Sequence, residues 1–210
     1  VAGVIVLGVL VSGSGTNLQA IVDAVRERRL DARLAVVVSN VPGAKALDRA
    51  RTAGIETVVV DHRSFADRPS FDAAVVEVLR ERGVELVVLA GFMRLVTPVL
   101  LDAFPMRIVN VHPALLPAFP GINGQRQALE YGARVAGCTV HFVDRGTDTG
   151  PIIAQETVPV FDDDDEASLT ARILTKEHEL LPRVIQWVAD GRVTVEATKS
   201  GRPRVRVRSA

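Results

Sequence analysis

Asn110-Val111-His112-Pro113 sets an amide and an imidazole two residues apart at the end of a short apolar run. If that run is a strand, alternation points both side chains to the same side of it. An amide N–H can hold the oxyanion that develops on an attacked carbonyl, and an imidazole can exchange the proton that the attack displaces. A histidine satisfied by backbone groups at a strand end would leave the same letters. The segment that follows favours chemistry. Pro113, Pro117, Pro120, Gly121 and Gly124 break both helix and strand, and rigid irregular loops at strand ends are where sites are built.

Two turns could serve that pair. Ser12-Gly13-Ser14-Gly15-Thr16-Asn17 follows an apolar run and precedes helical spacing, so its glycines would bend the backbone and aim helix N-terminal amides at an anion. Phosphate is the natural ligand. No Lys follows the glycines, so this is not a P-loop, nor is it a strict G-x-G-x-x-G fingerprint; a plain connector with Thr16 or Asn17 capping the helix reads equally well. Gly146-Thr147-Asp148-Thr149-Gly150-Pro151 holds a carboxylate between glycines. An Asp near His112 would favour the imidazolium, although spacing alone describes an ordinary turn.

The elements that must position these residues follow from apolar periodicity. Strands are predicted over 4–11, 34–39, 57–60, 85–90 and 107–110, and helices over 17–28, 44–53, 70–82 and 97–103. That alternation implies a mostly parallel, doubly wound, Rossmann-like α/β sheet with right-handed crossovers. Ligands of such sheets lie beyond the carboxyl ends of the strands, where Asn110 and His112 fall. Beyond 124 a helix over 125–131, strands over 137–143 and 152–160, and a long amphipathic helix over 167–189 with Pro182 inside it point to antiparallel additions. Residues 193–207 alternate like a terminal hairpin. With neither a repeat nor a linker, the 210 residues read as one domain.

Composition narrows the class further. Hydrophobic residues make up 48% of the chain and aromatics only 4%, so the core is aliphatic, as suits strands buried on both faces. Lys plus Arg equals Asp plus Glu, at 25 each, so no global field draws nucleic acid or an anionic membrane. The single cysteine, Cys138, excludes an internal disulfide and a cysteine-based zinc site. The apolar run at 4–11 is too short to span a bilayer and lacks a signal peptide's charged flank, so a cytoplasmic protein is expected.

Taken together, Ser12-Gly-Ser-Gly-Thr-Asn-Leu18, Leu89-Ala-Gly-Phe-Met-Arg94, Asn110-Val-His-Pro-Ala-Leu-Leu-Pro117 and Asp148-Thr-Gly-Pro-Ile152 resemble the phosphoribosylglycinamide formyltransferase family, in its order and spacing from about 4 to 191. The Asn-x-His plus Asp set is common to folate-dependent formyl-transfer enzymes; the Ser-Gly-x-Gly-Thr-Asn-Leu start and the single-domain length single out this one. The resemblance implies the formyltransferase fold, with a nucleotide-binding part at 4–110, a folate and catalytic part at 111–191, and terminal strands at 192–210. It implies that 10-formyltetrahydrofolate, consumed as co-substrate, formylates the amine of glycinamide ribonucleotide in purine biosynthesis. No tightly bound cofactor or metal is expected, and a monomer or homodimer that binds only small molecules.

The resemblance also assigns residues. Asn110, His112 and Asp148 would be catalytic; Gly15, Thr16 and Asn17 would hold the phosphate, and Glu177 the ribose. Met93, Arg94, Leu95 and Val96, with Asn110, Asp144 and Asp148, would meet the folate, and Arg68 its glutamyl carboxylate. Without the resemblance, Met93 and Leu95 read as core and Arg68 as a solvated loop charge. Two departures stand out. Pro120-Gly121 precedes Ile122-Asn123-Gly124-Gln125 instead of the histidine often found there, so that loop receives no catalytic role. Leu174 stands where a polar nucleotide contact is expected.

Other readings are weaker. A formyltetrahydrofolate deformylase usually carries an additional N-terminal domain, and methionyl-tRNA formyltransferase a C-terminal RNA-binding one. A nicotinamide-dependent oxidoreductase would end its second strand in an acidic residue, whereas here it ends Val38-Ser39-Asn40. A non-catalytic nucleotide-binding module would tolerate loss of His112. His62, His141 and His178 lack metal-ligand spacing with His112, and His141, inside an apolar strand, reads as structural, with a place close to the site left open. Asp162 to Glu166 reads as the acidic start of a helix, not a calcium loop. Arg202, Arg204, Arg206 and Arg208 read as a solvated edge strand.

Overall fold

The computed structural model describes residues 3–198 and 201–209, so Lys199 and Ser200 of the alternating tail lie outside the described residues. The chain forms two compact units, Val1–Asn110 and Val111–Ala210. Hydrogen bonding runs through seven strands in the order β3-β2-β1-β4-β5-β6-β7, and β5 (Ile108–His112) is the strand on which the chain passes from one unit to the next.

In the first unit β1 (Ile5–Val11), β2 (Ala32–Ser39), β3 (Thr57–Val59), β4 (Leu86–Leu89) and β5 are parallel. Val9 pairs with Val37 on one side and Val88 on the other, and all three are fully buried. This is why these strands read as unbroken apolar runs with no alternation. The crossovers carry α1 (Thr16–Arg26), α2 (Lys45–Thr52), α3 (Arg68–Glu81) and α4 (Pro98–Ala103). A Cβ on Gly8 would lie 2.4 Å from Leu79 Cδ2, so glycine is what lets α3 settle onto β1.

The helix starts are set by caps. Asp67 accepts the Ser70 N–H at 2.8 Å and Pro69 occupies the first turn, so α3 begins at Arg68, two residues before the expected start. Arg68 is therefore an exposed first-turn residue of a helix and not a loop charge. At its other end α1 closes early, at Arg26, and Arg28 takes a left-handed conformation (φ 59°).

In the second unit α5 (Gly124–Tyr131) follows the Pro-rich loop, and β6 (Val135–Phe142) pairs antiparallel with β7 (Ile152–Pro159), Cys138 opposite Glu156. The helix α6 (Glu166–Ala189) packs on both strands through Leu169, Ile173, Leu180, Leu181, Val184 and Ile185, with Pro182 inside it. Its acidic start is a cap: Asp165 accepts the Ser168 N–H at 2.8 Å, and Asp164 binds Arg172 and is held well below the usual carboxylate range by that guanidinium. The tail forms the hairpin β8 (Val193–Glu196) and β9 (Arg204–Val207). Among the described residues no helix is long and apolar enough to cross a membrane, and no three His, Cys, Asp or Glu side chains are arranged to hold a metal.

Candidate active site

In the first unit, the turn after β1 needs its second glycine twice over. Gly15 takes the left-handed conformation (φ 72°), and a Cβ there would lie 2.6 Å from Ala46 Cα and Cβ. It is Gly15 that occupies the N-cap of α1, and no side chain caps the helix, which corrects the reading of Thr16 or Asn17 as the cap. Helices α3 and α6 each have a first-turn amide capped by an aspartate, Asp67 and Asp165, whereas α1 starts on a glycine. Two contacts from α2 hold this turn: the Ala46 N–H donates to Gly13 O at 3.0 Å, and Arg49 Nε to Ser14 O at 2.9 Å.

The segment after β4 is open. Met93 is 72% and Leu95 52% exposed, so neither belongs to the core, and both are available to a flat ligand. Arg94 lies with its guanidinium 4.8 Å above the Phe71 ring, and Val96 is half-buried. Thr97 closes the segment by donating its N–H to Asp72 Oδ2 at 2.6 Å. Asp72 is buried, and burial raises its pKa against the opposing pull of Thr97, Arg94 and Arg68.

The second unit holds the titratable cluster. His112, at the end of β5 and 3% exposed, has Nδ1 3.4 Å from Asp148 Oδ2 and Nε2 2.9 Å from the Phe119 carbonyl. Both ring nitrogens face acceptors. Asn110 precedes it on the same strand and is half-buried. Asp148 itself sits at φ 54°, and its Oδ2 also accepts the Gly121 N–H at 2.8 Å. Asp144 shapes the turn that carries Asp148, accepting the Gly146 N–H at 3.0 Å and the Thr149 hydroxyl at 2.7 Å. Glu177 is buried in α6, and its charge adds to the burial that pushes the Cys138 thiol up to about 12.

Three features escaped the reading of the sequence. His141 Nε2 lies 3.7 Å from Asp148 Oδ1, while its Nδ1 donates to Phe142 O at 2.9 Å, so this buried imidazole belongs to the cluster. Its signal was present, since a polar side chain inside an apolar strand needs a partner. The loop that was given no catalytic role supplies the Phe119 carbonyl and the Gly121 N–H; backbone atoms carry no residue signature. Finally, a cavity of about 320 Å³ beside Asp148 is walled by Pro117 and residues 149–152, and by residues 202–205 of the tail. The edge-strand reading of those arginines left that wall out.

A doubly wound parallel sheet with a buried imidazole–carboxylate pair at the carboxyl end of a strand defines the class, an α/β protein with titratable side chains where such sheets take their ligands. The chain belongs to the formyl transferase family, whose model matches residues 6–185. It is 44% identical to the phosphoribosylglycinamide formyltransferase of Escherichia coli over 88% of this chain and 87% of that protein. It is also 46% identical, over 88% of its length, to the trifunctional purine biosynthetic protein adenosine-3 of Drosophila melanogaster, of which it spans only 14%. The crystal structure of glycinamide ribonucleotide transformylase 1 from Symbiobacterium toebii superposes with a TM-score of 0.94 at 53% identity, covering 98% of this chain and 95% of that one.

Proposed function

We propose that this protein transfers the formyl group of 10-formyltetrahydrofolate to the amine of N1-(5-phosphoribosyl)glycinamide, a step of purine biosynthesis. The observation that carries the reading is the His112–Asp148 pair, with both imidazole nitrogens turned to acceptors. The likeness to the Escherichia coli enzyme over most of that protein's length supports the choice of substrates.

The amine nitrogen attacks the formyl carbon and the carbonyl oxygen becomes an oxyanion. The formyl oxygen takes the place of the Phe119 carbonyl at His112 Nε2–H, and the Asn110 amide donates to the same oxygen. Asp148, 3.4 Å from Nδ1, orients the imidazole through this step. The bond from the formyl carbon to the folate nitrogen then breaks, its electron pair stays on that nitrogen, and the proton lost by the amine ends there. Gly15, Thr16 and Asn17 hold the substrate phosphate by backbone amides, and Glu177 takes the ribose. Met93, Arg94, Leu95, Val96 and Asp144 receive the folate ring, and Arg68 its glutamyl carboxylate.

The test is a spectroscopic assay with glycinamide ribonucleotide and 10-formyltetrahydrofolate. Formylated nucleotide and tetrahydrofolate should appear in equal amounts, and only with the amine present. Release of tetrahydrofolate without the amine would indicate a deformylase, and no turnover in either condition would overturn the reading.

A further inference from the structure

We infer that Ser12, with Asn40 behind it, is a positioning residue for the folate: it fixes the exposed segment after β4 to the end of β1. This rests on the proposed function, because it takes residues 93–96 as the folate side and Gly15 to Asn17 as the phosphate side.

Ser12 grips the segment at two points. Its backbone N–H donates to Gly91 O at 3.1 Å, and its hydroxyl oxygen accepts the Met93 N–H at 2.8 Å. The second bond works only if the hydroxyl proton points elsewhere, and Asn40 provides for that: Ser12 Oγ donates to Asn40 Oδ1 at 2.6 Å. Asn40, at the end of β2 and 4% exposed, is held in turn by His62, whose Nδ1 lies 3.2 Å from Asn40 Nδ2 and 2.9 Å from Asn40 O. Residues beyond the ends of three neighbouring parallel strands thus set the direction of one lone pair, and that lone pair holds the amide of Met93. At 72% exposure Met93 has little packing to keep it in place, so its backbone must be placed by hydrogen bonds.

The phosphate turn does not depend on this grip, since Gly13 O and Ser14 O are held by Ala46 and Arg49 of α2. Removing the Ser12 hydroxyl should therefore loosen the folate side and spare the nucleotide side. A purely structural role would weaken both together.

The experiment compares wild type with Ser12→Ala, Ser12→Thr and Asn40→Ala by steady-state kinetics in both substrates, calorimetric titration of tetrahydrofolate and thermal melting. For Ser12→Ala, the KM for 10-formyltetrahydrofolate and the Kd for tetrahydrofolate should rise about tenfold, while kcat and the nucleotide KM stay within about twofold. Ser12→Thr, which keeps the hydroxyl, should restore the folate KM. Asn40→Ala should raise it by a smaller factor, because the hydroxyl remains but loses its orientation. The inference is overturned by an unchanged folate KM in Ser12→Ala, by equal rises in both KM values, or by a loss confined to kcat. If Ser12→Ala does not fold, Asn40→Ala decides by the same split. A wild-type protein that neither binds tetrahydrofolate nor formylates the nucleotide overturns the functional reading itself, and the inference with it.

Discussion

His112 and Asp148 meet within the second unit with Nδ1 3.4 Å from Oδ2, and the same carboxylate oxygen accepts the Gly121 N–H at 2.8 Å. The carboxylate therefore has two tasks, to hold charge beside the imidazole and to hold the loop that contributes the Phe119 carbonyl. Asp148→Asn separates them. An asparagine tolerates the left-handed backbone at φ 54°, and its amide oxygen can still accept the Gly121 N–H. It cannot stabilise an imidazolium. Turnover should fall by at least about a hundredfold, the scale of a lost proton-transfer group, with the melting temperature nearly unchanged. A variant that unfolds, or that keeps wild-type kcat, would contradict this division of tasks.

Asp148 Oδ1 faces the second imidazole, His141, and here burial dominates. It pulls the pKa of His141 below its ordinary value of 6.5, assisted by the nearby His112, although Phe142 O, Asp148 and Asp144 all favour the charged form. With a folded pKa below the unfolded one, the unfolded chain binds the extra proton first. The contribution to stability is thus present above about 6.5 and is lost as pH falls towards the folded value. Thermal melts of wild type and His141→Gln at pH 8, 7, 6 and 5 should diverge below pH 7, wild type losing more. Parallel curves would mean that His141 does not titrate there.

The glycine turn after β1 makes a steric prediction. Gly15→Ala puts a methyl group 2.6 Å from the Ala46 backbone and side chain and a side chain on a left-handed residue. The turn and α2 must separate, with a cost of about 1–3 kcal/mol from the strained backbone alone. The KM for the nucleotide should rise, and the KM for the folate, whose segment is held through Ser12, should move little. Equal effects on both substrates would argue against a phosphate role for this turn.

Much of the scaffold was legible because long-range packing and local pattern agree in it. Strands β1, β2 and β4 are apolar on both faces, and α1 and α6 show their buried stripes at helical spacing. The terminal hairpin showed in the alternation of its valines. The start of α3 was misplaced because the Asp67 cap lies outside the apolar repeat that marks the helix. Asn110 and His112 were legible as neighbours at a strand end, whereas the approach of Asp148 to His112 followed only from the family resemblance, since spacing alone left Asp148 as a turn residue. The site was opaque where backbone atoms and distant pairings do the work. Nothing in the letters says that Phe119 offers its carbonyl to His112, that Ser12 reaches Met93, or that residues 202–205 wall the cavity beside Asp148.

That wall yields a test of its own. Val205 of β9 lines the cavity with Pro117, Pro151 and Ile152, and Arg202 and Arg204 flank it on the same wall. Val205→Asp would bring a second negative charge into the cavity that Asp148 lines. The kcat should fall, and Val205→Asn, of similar size but neutral, should leave it near the wild-type value. Equal kcat values for both variants would show that a charge on the hairpin does not influence the carboxylate.

Asp72 separates a charge from a hydrogen bond inside the first unit. The residue is 2% exposed, and its carboxylate accepts the Thr97 N–H at 2.6 Å, fastening the start of α4 and the end of the 93–96 segment. Asp72→Ala leaves that buried N–H without its acceptor and should cost about 1–3 kcal/mol, whereas Asp72→Asn keeps an acceptor and should cost less. The pH dependence runs opposite to that of most carboxylates. Burial raises the folded pKa, so the favourable contribution is present below the ordinary value of 3.8 and is lost as pH rises through the folded value. Chemical denaturation at pH 4.5 and 7.5 should therefore show wild type losing stability relative to Asp72→Asn at the higher pH. A wild type that instead gains on Asp72→Asn at pH 7.5 would mean that Thr97 and the guanidinium groups of Arg94 and Arg68 outweigh burial, and that the carboxylate stabilises the segment as a charge.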